Sequence, residues 1–412
     1  MSPSKKRRKS ESHEPPKISC ASTWVSPASV EEASSSSPCV SHEFYFQLVM
    51  TPALGDGFRL RFRRHYADKV RRSEILSDPL AVPVRDASMT TEVDLEQLRN
   101  WNNSESFFVE QIMMDKDGKY LVKWFGFTQR CNTWEFLHNE APALKRSYAM
   151  VKKALGSISK RYGIPMPPKT QTDFESTMFI NRFRLQSTIN NYGKSWTHVE
   201  DWLQLEEGVP VFKYSPVRLL SPRAKERVAK MTLREGCSCV TCDLQCSCQG
   251  TCGPACICPD LCSQRYLVEG RTLPLILFRV LQRGWGLFAV EPIPKYVFVV
   301  EFVGQVKLVE EMKPESDWSY TIPLNKGKMV VDAKDYGNEA RFVNHSCDPN
   351  LEVRPVYLDV AKVARKSFHR IVFFSKRRIE SGEELTLDYT KAGMKKTGLK
   401  CLCCASVCRK EF

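Results

Sequence analysis

Nine cysteines fall between residues 237 and 262, in three near-repeats: Cys237, Cys239 and Cys242; Cys246, Cys248 and Cys252; Cys256, Cys258 and Cys262. An array this dense lacks the large apolar side chains of an ordinary core, so something other than hydrophobic burial must hold it together. Three zinc ions with four thiolates each need twelve bonds, which these nine sulfurs supply when six are terminal and three bridge. A disulfide framework is the alternative, and it requires an oxidising compartment. The opening MSPSKKRRKS has no apolar stretch behind its charges, so no secretory signal is expected. Nine is also an odd number, which leaves one thiol over in any local disulfide scheme. A metallothionein-like sink would use similar spacings, but this array runs directly into the apolar, aromatic-rich residues 265–392. It therefore reads as a zinc brace for a folded neighbour.

The 412 residues allow two or three domains, and the net charge of +14 favours acidic partners such as nucleic acid or chromatin. No run of about 18 apolar residues suggests a membrane span. Residues 1–41 are rich in Ser, Pro and Glu without hydrophobic periodicity and are expected to be a disordered tail. Within that tail Lys5, Lys6, Arg7, Arg8 and Lys9 read as a nuclear import signal. Residues 42–77 form a small basic segment of unknown role. There Phe58, Leu60 and Phe62 alternate with Arg59, Arg61 and Arg63, as a half-buried strand would, leaving one face to solvent, phosphate or acidic protein. Residues 78–105, with Pro79 and Pro83, read as a linker.

A module of residues 106–157 follows. Residues 107–114 and 120–124 are apolar enough for strands on either side of a turn at Lys116-Asp117-Gly118-Lys119, and Trp134 follows the next turn. Pro142 can open a helix that carries Leu144, Tyr148, Val151 and Leu155 on one stripe. Residues 158–234 read as a connector with helices, one of them near 174–189 and with a basic stretch at 218–230. Beyond the cysteines the short apolar runs 273–278, 297–303, 329–331 and 370–374 predict short strands. The fold class is accordingly mainly β with short helices. Three further groups stand out there: Arg283-Gly284-Trp285-Gly286, Arg341-Phe342-Val343-Asn344-His345-Ser346-Cys347, and Glu383-Glu384-Leu385-Thr386-Leu387-Asp388-Tyr389. The tail adds Cys401, Cys403, Cys404 and Cys408.

Residues 106–157 resemble a chromodomain through Val109-Glu110-x-Ile112, Tyr120-Leu121-Val122-Lys123-Trp124-x-Gly126 and Asn132-Thr133-Trp134-Glu135. The resemblance implies a three-stranded sheet plus helix in which Phe107, Trp124 and Phe127 cage a methylated lysine, a cation drawn to aromatic faces. The chain departs from that family at Phe107, where tyrosine is commoner, and at Phe136, where proline is usual.

Residues 235–412 resemble the pre-SET (235–264), SET (265–392) and post-SET (393–412) unit of histone lysine methyltransferases. The ordered whole resembles the suppressor-of-variegation class acting on lysine 9 of histone H3. The resemblance implies small curled sheets with a pseudoknot, in which residues 344–348 pass beneath a later loop. S-adenosylmethionine and the H3 tail would enter from opposite faces. By motif position Arg283, Gly284, Trp285, Gly286, Tyr320, Arg341, Asn344 and His345 would bind the cofactor, and Tyr389 would orient the lysine amine and offset the methyl group's partial charge. No His-carboxylate pair offers a general base, so the proton would leave with help from the cationic cofactor or a water channel. Cys347, Cys401, Cys403 and Cys408 would hold a fourth zinc, with Cys404 as a possible competitor and Phe412 as an aromatic lid.

Phe302 stands where the family has a tyrosine, and Leu387 where it has phenylalanine or tyrosine. Both changes remove hydrogen bonding or bulk around the amine, which predicts di- and trimethylation. The implied setting is the nucleus and heterochromatin, with the histone H3 tail, nucleosomes and heterochromatin proteins as partners, nucleic acid contacted through basic segments, and no membrane. A catalytically weak or inactive reader of methylated histone tails is the alternative, and a zinc-dependent nucleic-acid-binding protein a third reading.

Overall fold

The computed structural model describes residues 46–53, 57–64, 109–124, 132–137, 142–167, 169, 172–192, 195–203, 208–231, 236–237, 242, 251–253, 256–257, 262–313, 316–358, 368–395 and 398–411. The expected tail 1–41 and linker 78–105 lie outside these residues, as do Phe107, Phe127, Cys239, Cys246, Cys248, Cys258 and Phe412.

The alternating arginine segment is a strand, β2 (Gly57–Arg64), paired antiparallel with β1 (Phe46–Ala53). Next come β3 (Val109–Lys116) and β4 (Lys119–Trp124), joined by a two-residue turn in which Asp117 and Gly118 both have positive φ (50° and 76°). That backbone matches the twist of a tight hairpin. β5 (Thr133–Glu135) completes an antiparallel sheet in the order β3-β4-β5. Its own core is small: Ile112, Val122 and Leu137, with Tyr120, Leu144 and Tyr148 against them.

Helix α1 (Pro142–Tyr162) starts at the expected proline but runs beyond residue 157. Gly156 does not stop it, because the apolar stripe continues: Val151, Ala154, Leu155 and Ile158 are all buried at i, i+3, i+4 and i+7. Their partners are no longer the small sheet. They pack with Ile276, Phe278, Phe288 and Trp202 in a second core, so one helix serves two. At 21 residues α1 is also an exception to the expected short helices.

α2 (Thr177–Tyr192) begins and ends three residues later than the expected helix, after a 3-10 turn at Thr172–Glu175. The rest of the connector is less of a linker than expected. It supplies β6 (Thr197–Glu200), β7 (Lys213–Tyr214), β8 (Leu219–Leu220) and α3 (Pro222–Ala229), whose N-cap Ser221 accepts from the Ala224 N–H at 3.1 Å. After α4 (Tyr266–Glu269) come β9 (Leu275–Val280), β10 (Gly284–Ala289), β11 (Phe298–Phe302), β12 (Gly304–Leu308), β13 (Thr321–Leu324) and β14 (Met329–Gly337). Then follow β15 (Asn344–His345), β16 (Leu351–Val356), β17 (Arg370–Ser375) and β18 (Thr386–Leu387).

Connector strands pair into the C-terminal sheets: β6 with β9, β7 with β14, β8 with β12. The sheet orders are β10-β9-β6, β11-β17-β16 and β13-β14-β12-β8. β9 is buried along its whole length, with Leu275 and Leu277 in the main core and Ile276 and Phe278 in the core under α1. A strand covered on both faces needs a continuous apolar run, which Leu275-Ile276-Leu277-Phe278 provides.

The two segments expected to cross are paired. β15 pairs in parallel with β18, Asn344 opposite Thr386 and His345 opposite Leu387, and the Ser346 N–H donates to the Leu387 carbonyl at 2.9 Å. Asn350, buried, ties the same two segments: its Nδ2 donates to Glu383 Oε1 (2.9 Å) and to the Glu384 carbonyl (2.8 Å), and its Oδ1 accepts from the Thr386 N–H (2.9 Å). Among the described residues no helix is long and apolar enough to cross a membrane.

Candidate active site

The centre of the site is Glu384, a residue that motif reading left without a role. Its carboxylate, with the side chain 4% exposed, receives three donors. Asn344 Nδ2 reaches Oε1 at 2.8 Å; the Tyr162 hydroxyl and Arg283 Nη1 reach Oε2 at 2.7 and 2.9 Å. Arg283 Nη2 also donates to the His345 carbonyl (3.2 Å), and Asn344 Nδ2 to the Trp285 carbonyl (3.2 Å). A Cβ on Gly286 would lie 2.8 Å from Glu384 Oε1 and 3.2 Å from Asn344 Nδ2. The glycine expected to admit a ligand thus makes room first for this carboxylate. Gly284 has φ 69°.

The pseudoknot brings Tyr389 beside His345, with ring centroids 5.3 Å apart. The Tyr389 N–H donates to His345 Nδ1 at 3.2 Å, which leaves the proton on Nε2, 3.4 Å from Cys347 Sγ. Burial lowers the His345 pKa, so the imidazole is neutral at pH 7 and turned toward the thiolate site rather than offering a charge. The Tyr389 hydroxyl donates to the Val343 carbonyl at 2.8 Å. Burial above all, with Tyr320 and Glu384 nearby, pushes this phenol well above its ordinary range, so it stays protonated.

Arg341 is sandwiched between aromatic rings, its guanidinium carbon 4.4 Å from the centroids of both Phe212 and Tyr320, and its Nε donates to the Ala333 carbonyl at 2.9 Å. Among the described residues it shows no hydrogen bond to the Glu384 cluster; its Nη2 donates to the Lys334 carbonyl at 3.1 Å. Phe302 and Leu387 are 4% and 3% exposed and belong to one core, against which Tyr320 and Tyr389 pack. Phe302 stacks at a tilt on Phe373 (6.0 Å), with no hydroxyl to offer.

The tail is locked to this cluster. Arg409 grips Asp388, the neighbour of Tyr389, with two bonds of 2.7 and 3.1 Å. Burial opposes ionisation of Asp388, but the Arg409 pair outweighs it and holds the carboxyl below its usual range. Cys347, Cys401, Cys403 and Cys408 converge with all sulfurs within 4.8 Å of one another, and Cys404 points elsewhere, toward the Leu402 carbonyl.

Among the described residues of the cysteine array two further groups converge, Cys237-Cys252-Cys256 and Cys242-Cys252-Cys262, and they share Cys252. A tetrahedral zinc with Zn–S of about 2.3 Å sets its sulfurs about 3.8 Å apart. Observed separations are 3.2 Å (Cys252 to Cys242), 3.4 Å (Cys237 to Cys242, across the two groups), 3.7 Å (Cys252 to Cys262) and 3.8 Å (Cys347 to Cys401), all far longer than a disulfide bond. The donor set fits zinc, and the shared sulfur is what a bridging thiolate requires.

Residues 284–390 match the SET domain family. Over 346 residues the chain is 30% identical to histone-lysine N-methyltransferase SUV39H2 of Homo sapiens, covering 72% of this chain and 82% of that protein. It is 33% identical over 175 residues to histone-lysine N-methyltransferase Su(var)3-9 of Drosophila melanogaster, covering 40% of this chain and 26% of that one. Among solved structures, KRYPTONITE in complex with mCHH DNA, H3(1-15) peptide and SAH is similar at 25% identity, with a TM-score of 0.45 over 53% of this chain and 52% of that chain.

Proposed function

The chain belongs to the SUV39 class of histone-lysine methyltransferases, and on that premise we propose that it methylates lysine 9 of histone H3, to the di- and trimethyl states, in heterochromatin. Nuclear chromatin is the setting of such an enzyme. The observation that carries the reading is the Tyr389 hydroxyl, anchored to the Val343 carbonyl beside the cluster of Glu384, Arg283 and Asn344.

S-adenosylmethionine, when bound, supplies an electrophilic methyl on a sulfonium. The residues present fit such a group: Trp285 and Tyr320 are half-buried aromatics that already lie against the Arg279 and Arg341 guanidiniums, and Asn344 and Arg283 are held by Glu384. Because its hydroxyl proton is committed to Val343, the Tyr389 oxygen presents lone pairs, which suit an amine N–H or the partial positive charge of a methyl in transfer. A phenol held protonated does not act as a phenolate base. The lysine must therefore arrive neutral by losing its proton to solvent, and alignment supplies most of the rate.

Cys347, Cys401, Cys403 and Cys408 would hold one zinc and the nine-cysteine array three, all structural, since every site is filled by protein thiolates. The sheet β3-β4-β5 with α1 would read methylated lysine through Trp124 with Phe107 and Phe127.

Incubating the full chain with histone H3 and labelled S-adenosylmethionine tests the proposal. Label is expected on wild-type H3 and absent from H3 whose lysine 9 is replaced by arginine. Equal labelling of both would overturn the site assignment, and no labelling of either would favour the reader alone.

A further inference from the structure

We propose that Tyr162, the last residue of α1, is a positioning residue of the methyl-transfer site, holding Glu384 and through it Arg283 and Asn344 in the geometry that binds S-adenosylmethionine. This rests on the proposed cofactor site.

Tyr162 is 222 positions from Glu384 in sequence, yet its hydroxyl donates to Glu384 Oε2 at 2.7 Å. The buried carboxylate has two oxygens to fix. Oε1 is fixed by Asn344, while Oε2 is shared between Arg283 and Tyr162. Without the phenol, Oε2 keeps only the Arg283 donor, so the carboxylate and the guanidinium can shift together about the Asn344 bond. Such a shift moves Arg283, whose other arm holds the His345 carbonyl next to Asn344. The loss would appear in the groups that face the cofactor and not in those that face the peptide.

The hydroxyl is placed with little slack. The Tyr162 ring packs edge-on against Phe288 (5.8 Å, 84°), in the same core as Ile158 and Phe278. One turn back, α1 lies directly on the turn that leads into Glu383 and Glu384: a Cβ on Gly382 would meet Ser157 Cβ at 2.6 Å and the Ala154 carbonyl at 2.7 Å. The helix that carries the donor is thus seated on the segment that carries the acceptor. A hydroxyl wanted only for solubility at a helix end would not need either contact.

The test uses the full chain carrying Tyr162→Phe, which removes the hydroxyl and keeps the ring on Phe288. Titration calorimetry with S-adenosylmethionine is expected to give a Kd raised about tenfold, the scale of one hydrogen bond to a charged group. KM for the H3 peptide should stay within about twofold, and the unfolding midpoint of the unliganded protein within about 2 °C, because one half-buried bond is lost and no packing. In a Glu384→Gln background the same change should add less than about twofold, since the partner charge is already gone. An unchanged Kd in Tyr162→Phe, a fall in peptide affinity as large as that for the cofactor, or full additivity with Glu384→Gln would each overturn the proposal. A wild type that binds no S-adenosylmethionine defeats the proposed function and this inference together; a wild type that binds it, with Tyr162→Phe indistinguishable, defeats this inference alone.

Discussion

Replacing Tyr389 by Phe separates two things the hydroxyl does. In the resting protein it satisfies the Val343 carbonyl at 2.8 Å, and a neutral hydrogen bond contributes about 1 kcal/mol. Since the ring stays in place, the variant should lose about 1 kcal/mol of stability and a few degrees at most in unfolding midpoint. In the reaction the oxygen lines the amine up with the donor methyl. Misalignment on the scale of a lost contact costs about a hundredfold, equivalent to about 2.7 kcal/mol of barrier. Initial rates of labelled methyl transfer at saturating cofactor, with calorimetric Kd for S-adenosylmethionine, tell the two apart: the rate should fall about a hundredfold and the Kd should hardly move.

The pH profile adds a second check. Lysine's reference pKa is about 10.4, so the neutral fraction rises nearly tenfold per pH unit between about 7 and 9, and the rate should rise with it. Tyr389 is pushed above its usual range and does not titrate in that window, so Tyr389→Phe should keep the same slope at a lower rate. Full activity in the variant refutes the alignment argument; a flattened slope shows that the phenol was a base after all.

Leu387→Tyr should shift products toward monomethyl-lysine, by restoring a hydroxyl worth about 1 kcal/mol near the amine, although Leu387 is only 3% exposed and a larger ring will cost some packing. Mass spectrometry of the product ladder under excess cofactor checks this, and a wild type that stops at one methyl sinks the reading of the pocket. Elemental analysis should find about three to four zinc per chain, and Cys252→Ser should release more metal than Cys237→Ser, because among the described residues Cys252 is common to both convergent groups. Fewer than about two zinc per wild-type chain argues against the cluster. Trp124→Ala should weaken binding of a methylated H3 peptide about tenfold or more, with binding of the unmethylated peptide poor before and after, as fluorescence anisotropy would measure.

Where structure is local, the residues announced it. The Phe-Arg alternation from Phe58 to Arg63 became β2, Asp117-Gly118 became a hairpin turn, and the run Leu275 to Phe278 became a strand buried on both faces. Two-residue strands such as β7 and β8 have no periodicity to read, and their pairing partners lie far along the chain. That is why the connector read as helices without strands. The stripe read from the sequence ends at Leu155, but the helix runs on because burial of Ile158 outweighs the roughly 1 kcal/mol that Gly156 costs. At the site, the motifs named Asn344, His345 and Tyr389, and the threading of β15 against β18 brings them together. Alternation puts Glu383 and Glu384 on opposite faces of an extended segment but does not tell which looks inward. Nothing near Tyr162 in sequence points to a partner 222 positions away.

The double membership of α1 sets a rule for insertions and deletions. Surface loops absorb extra residues at small cost. Inside this helix, one added residue advances everything after it by about 1.5 Å and turns it by about 100°. With Leu144 and Tyr148 held on the small sheet, an insertion after residue 150 would swing Ile158 out of the second core and carry the Tyr162 hydroxyl off Glu384. A length change that spares both cores must therefore fall outside residues 142–162, because the phase of this helix ties the packing at one end to the packing at the other.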